Sequence, residues 1–202
     1  MLAGVDEILS FWFAGAKESA EALRRQNAVW FGSDRDFDHE VRARFETTLE
    51  LADTGACDHW TGEPRSHLAL ILLFDQFPRN IHRGTAQAFA YDDKALGLSL
   101  DGIDAGADQA LDLLERVFFY MPLQHVESLE VQSRSVELNA ALAEQAPEPL
   151  RDYMSEVLGY AVSHRDIIAQ FGRFPHRNAV LGRDSTAEEQ AYLDGGAARF
   201  GQ

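Results

Sequence analysis

The 202-residue chain is predicted to be all-α, from three observations. Apolar residues recur at i, i+3, i+4 and i+7 over most of its length, no stretch alternates as a strand bounded by hairpin turns, and Gly and Pro punctuate the periodic segments. No linker divides the chain, so residues 1–202 are expected to form a single helical domain around one core.

The first helix is predicted from Val5, Ile8, Leu9 and Trp12, a face widened by Phe11 and Phe13. A second carries Leu23, Asn27, Trp30 and Phe31 and stops at Gly32. A third starts near Ser33 or Asp34, aligns Phe37, Val41, Phe45, Thr48 and Leu49, and ends around Gly55. Trp60 then falls in a loop with Gly62 and Pro64. The segment His67 to Gln76 is apolar nearly all round, as a central buried helix should be, and Pro78 is expected to end it. Helices are expected over 86–99, 109–120 and 124–144, the last opening just after Pro122 with Glu127 and Glu130 near its positive end. Leu150, Met154, Val157, Ala161, His164, Ile168 and Phe171 form the clearest amphipathic stripe, and Thr186 with Glu189 makes a capping box for a short last helix. Short connections between eight or nine such helices predict antiparallel pairs, packed as a bundle or a solenoid.

Composition narrows the function. A net charge of −15 disfavours nucleic acid and anionic membranes as partners. The longest apolar run, Leu68 to Phe74, is far short of the roughly 20 residues that cross a bilayer. Asp6 and Glu7 are reached with no basic residue before them, unlike a secretory signal, and the single Cys57 suits a reducing compartment, so a cytoplasmic location is predicted.

One internal echo stands out: Phe77-Pro78-Arg79-Asn80 and Phe174-Pro175-His176-Arg177-Asn178. Each is read as a helix-ending turn bearing planar donors, followed by Arg83 or Arg183, and residues 161–183 hold four Arg against one Asp. Small anions are what such donors bind. Arg79, Arg173, Arg177 and Arg183 are the candidate anion-holding groups, with Asn80 and Asn178 orienting the ligand and His176, Asp75 and Glu127 as further ligand-binding candidates beside them. His164, inward on its stripe, and His125, expected to open a helix, are the candidate acid or base. Against this stands a structural reading, in which the same Arg residues are tied up in ion pairs with acids such as Asp75 and Asp166. No metal site is expected, because H-E-x-x-H and a paired di-iron pattern are absent, and no cofactor is expected either. The partner is therefore predicted to be a small anionic molecule; the alternative is a peptide on the face of an interaction scaffold.

Several segments carry a further resemblance: Phe11-Trp12-Phe13, Trp30-Phe31, Leu70 to Asn80, Ala88-Phe89 with Asp92, Phe118 to Glu127, His164 to Ile168, and Phe171 to Thr186. Through them the chain resembles the bacterial proteins of domain of unknown function 924. That resemblance implies a tetratricopeptide-like, right-handed helical array and supplies no activity; no 34-residue consensus recurs in the sequence.

Overall fold

The computed structural model describes residues 2–196. All regular structure among them is helical: nine α-helices, with five short 3-10 segments in the connections. Helices α1 (Val5–Phe13), α2 (Ala20–Phe31) and α3 (Arg35–Asp53) lead into α4 (Pro64–Ile81). Ser19 and Asp34 accept hydrogen bonds from the first amides of α2 and α3, the groups that a helix start leaves unpaired. The apolar faces of α1 and α2 meet in an aromatic cluster. Trp12 is fully buried and stacks on Trp30 at 6.0 Å; its carbonyl accepts from Trp30 Nε1 at 2.8 Å, and Phe118 packs on Trp30 at 4.7 Å.

Helix α4 is the axis of the fold, with every residue from His67 to Ile81 buried. It opens with Pro64 at its first position, where a missing N–H costs nothing, and Trp60 before it lies in a 3-10 turn rather than an open loop. Contrary to expectation, Pro78 does not end it. The ring removes one helical hydrogen bond at a cost of about 3 kcal/mol. Burial of Phe77 and Ile81 on either side, and the side-chain bonds made by Arg79 and Asn80, offset that cost.

The next boundaries also differ from those expected. Residues expected as one helix over 86–99 divide into a 3-10 turn, Ala86–Phe89, and α5 (Asp92–Asp104). Helix α6 (Leu113–His125) starts at a capping box of Asp112 and Glu115 and runs through the buried Pro122. His125 therefore closes a helix instead of opening one, and α7 begins later than expected, spanning Leu129–Gln145. Helix α8 (Arg151–Phe171) ends at Gly172, whose φ of +70° supplies the left-handed cap, and α9 (Ala187–Asp194) has the predicted capping box.

Side-chain contacts fix the helix directions. Asp38 at the start of α3 meets Asn80 at the end of α4, so these two helices are antiparallel. His67 and Arg79 of α4 reach Leu98 and Asp92 of α5, again antiparallel. Arg65 pairs with Glu115 and Asp75 with His125, so α4 and α6 run the same way. Gln132 near the start of α7 bonds the Gln124 carbonyl while Gln145 at its end meets Arg116, which returns the chain for α8 to run beside α6. Alternate helices thus share a direction, a layering compatible with a tetratricopeptide-like array though without a sequence repeat.

Gly102 shows how closely the layers approach. A Cβ there would lie 2.4 Å from Phe119 Cζ and 2.8 Å from His67 Cε1. The change Gly102→Ala is expected to destabilise the protein by about 1–3 kcal/mol despite the better helix propensity of alanine, measured by urea denaturation.

Candidate functional site

Because α4, α6 and α8 share a direction, their C-terminal halves converge on one end of the fold. The turn that follows α8 closes over them. Between these elements lies a cleft with an empty volume of about 530 Å³, counted out to its open mouth. Its polar wall holds Arg79, Asn80, His125, His164, His176 and Arg177, so both Phe-Pro-Arg-Asn-like segments reach the same place. Gln76, Arg83 and the apolar Trp30, Phe31 and Met121 complete the lining.

The two segments arrive differently. Phe77 to Asn80 is the last helical turn of α4, whereas Pro175 to Arg177 forms a 3-10 turn beyond the end of α8. The expectation of two equivalent helix-ending turns is therefore corrected at the first. Cations suit the end of α4, since a helix C-terminus carries partial negative charge.

Behind the wall stands a chain of charge. Arg79 donates to Asp92 Oδ1 at 2.9 Å and to the Ala88 carbonyl at 3.0 Å, and lies 3.5 Å from Asp75. Arg177 reaches Asp92 Oδ2 at 3.2 Å and the His125 carbonyl at 2.9 Å. Its guanidinium is sandwiched between Phe89 and Phe174, 4.5 Å from each ring centroid, a strong cation–π arrangement away from water. Burial and the neighbouring Arg79 push Arg177 down to about 10, because Asp92 is shared and compensates only part of the desolvation. Arg177 Nε is buried without a hydrogen bond.

Asp75 is 1% exposed and accepts from Gln76 Nε2 at 2.5 Å. Burial raises its pKa, but His125 and Arg79 outweigh that and hold the carboxyl at about 2. An ionised carboxylate only accepts, so His125 Nδ1, 2.6 Å away, carries the proton and Nε2 is the basic nitrogen of a ring lining the cleft. Burial and Arg79 keep His125 below the ordinary histidine range despite Asp75. His164 lies 6.3 Å from His125 between ring centroids, and its Nδ1 donates to the Tyr160 carbonyl at 2.8 Å. It is inward, as its stripe predicted.

Four of the candidate residues work elsewhere. Glu127 accepts from Arg183 at 2.7 and 2.9 Å and from the Phe174 amide at 2.8 Å. Arg183 also donates to Asn178 Oδ1, and Asn178 reaches Ser185 and Glu189. Arg173 forks onto Glu189 at 2.6 and 2.7 Å. These bonds tie the 172–189 segment to α9 and to the end of α6, and none of the four lines the cleft. Asp166 pairs with Arg165 at the surface, not with either motif. Asp92, Phe89 and Asp38, which hold the cleft arginines and Asn80, are not among the site residues read from the sequence; Phe89 and Asp92 do stand in the resembling segments, and Asp38 carries no sequence signal.

Among the described residues no three His, Cys, Asp or Glu side chains form a metal-holding group, and no helix is long and apolar enough to cross a membrane.

Burial pushes His164 down to about 3, against an ordinary value near 6.5. The unfolded chain therefore takes up a proton at this position between about pH 6.5 and 3 that the folded chain refuses, so folding stability falls as pH falls through that window. The variant His164→Gln, which can still donate to the Tyr160 carbonyl, is expected to show a shallower loss of stability between pH 6.5 and 4, read by chemical denaturation across pH.

Comparison with known proteins places this geometry in a family without giving it a reaction. No curated protein matches the chain. A solved structure of a protein of unknown function from Agrobacterium tumefaciens is similar at 37% identity and a TM-score of 0.80, covering 95% of this chain and 97% of that one. The model of a family described as bacterial protein of unknown function (DUF924) matches residues 8–197, and the chain belongs to that family.

Proposed function

We propose that the protein binds a small anionic metabolite in this cleft. The observation that carries the reading is the composition of its wall. Every polar residue lining it is a donor or a histidine, and no carboxylate lines it among the described residues, although the chain has 33 acids against 18 bases. The acids that belong to the site, Asp38, Asp75 and Asp92, stand behind the arginines and histidine that they orient. A cleft in which polar groups converge and whose titrations are perturbed has the character of a small-molecule site.

In this reading Arg177 and Arg79 attract the anion and Asn80 and His176 border it. Asp75 holds the His125 ring in one tautomer and presents Nε2 as the proton acceptor of the cleft, the role that an aspartate plays for a catalytic histidine. His164 stays neutral at physiological pH and packs edge-on against Phe174 at 5.7 Å, supporting the wall.

The test removes the cation that is least compensated. Small carboxylates or inorganic phosphate at millimolar concentration should raise the melting temperature of the protein, and Arg177→Ala should abolish that rise while circular dichroism stays helical. An Arg177→Ala protein that is unfolded at 25 °C would instead make Arg177 a tie between the C-terminal turn and α5.

A further inference from the structure

The cleft is lined by residues of two chemical kinds, and its charges cancel before any ligand arrives. Three guanidinium groups line it, those of Arg79, Arg83 and Arg177. Three carboxylates already face them: Asp38 forks onto Arg83 at 2.7 and 2.8 Å, Asp92 is shared by Arg79 and Arg177, and Asp75 lies between Arg79 and His125. With neutral histidines the set sums to zero. One proton taken up at His125 Nε2 leaves a single positive charge.

The backbone points the same way. Phosphate sites are commonly built on helix N-termini, whose free amides and positive end hold a multiply charged anion. Here the charged lining comes from the C-terminal turns of α4 and α6 and from a 3-10 turn, whose carbonyl ends repel negative charge. Such a site tolerates one negative charge and resists two.

The same lining includes three apolar side chains, Trp30, Phe31 and Met121. Trp30 is fixed by its bond to the Trp12 carbonyl, and Met121 by the Gln76 amide that points at its sulfur from 3.1 Å. Phe31, the last residue of α2, leaves 44% of its surface exposed beside them, a large apolar ring that the fold does not cover. Apolar surface next to a singly charged donor set is complementary to an amphipathic molecule.

We infer that the ligand of this cleft is a monocarboxylate with a compact apolar or aromatic body: its carboxylate meets the Arg177 and His125 side of the cleft and its body covers Phe31, Trp30 and Met121. This rests on the anion-binding reading above and adds the ligand's charge and its second half. The head is planar, as a guanidinium prefers, and the body is held by area alone.

Phenylacetate, acetate, inorganic phosphate and the neutral 2-phenylethanol are the probes, each titrated against the intact protein and against Phe31→Ser by calorimetry and thermal shift. Phenylacetate is expected to bind at least about tenfold more tightly than acetate or 2-phenylethanol. Phosphate is expected to bind no more tightly than acetate. In Phe31→Ser, a change at a half-exposed position that should leave the fold intact, acetate binding should be unchanged while the advantage of phenylacetate shrinks severalfold. Equal affinity for acetate and phenylacetate, a preference for phosphate, or a phenylacetate advantage untouched in Phe31→Ser would each overturn the inference while leaving anion binding standing. No response to any of the anions would overturn both readings.

Discussion

The arrangement depends on two carboxylates, the buried Asp75 and the partly buried Asp92, each of which serves more than one partner. Asp75 fixes His125 and lies against Arg79, and Asp92 grips Arg79 and Arg177 together. Moving four charges out of water is costly, and mutual attraction offsets that cost only when every group finds good geometry. Here α4 supplies Asp75 and Arg79, α5 supplies Asp92, α6 supplies His125, and the turn after α8 supplies Arg177. The charges therefore specify how four elements meet at one end of the fold, while the aromatic cluster of Trp12, Trp30 and Phe118 fixes the packing beside them.

Much of the architecture is legible in sequence because it is periodic. The stripe that puts His164 inward, the capping box at Thr186 and the stop at Gly32 are local patterns with local causes, and the structure keeps them. Two of the misplaced boundaries share one cause. Pro78 and Pro122 carry the local signal of a helix end, yet both lie inside helices whose surrounding residues are buried, and tertiary packing outweighs a backbone preference of about 3 kcal/mol. Shifting the end of α6 by a few residues changes the meaning of His125, from a group near the positive start of a helix to one at its negative end.

The site was legible by residue type and illegible by partner. Arginine, asparagine and histidine around two similar motifs pointed to a donor cluster, and six of those residues do share the cleft. No spacing rule tells which acid each will meet, because Asp75 and His125 lie 50 positions apart and Asp92 and Arg177 lie 85 apart. For the same reason Arg173, Arg183, Asn178 and Glu127 looked like equal members of the cluster. None of the four lines the cleft: Glu127 holds Arg183, and Glu189 holds Arg173 and Asn178.

The sharing of Asp92 between Arg79 and Arg177 also orders events in time. A chain emerging from the ribosome completes α4 and α5 long before residue 177 appears, so during synthesis Asp92 has only Arg79 to bind and the third side of the cleft is missing. The aromatic cluster of Trp12, Trp30 and Phe118 draws on the first 125 residues alone, whereas the donor set closes only when the segment beyond α8 folds back onto α5 and the end of α6. Assembly of the cleft is thus a late event that reports on completion of the fold.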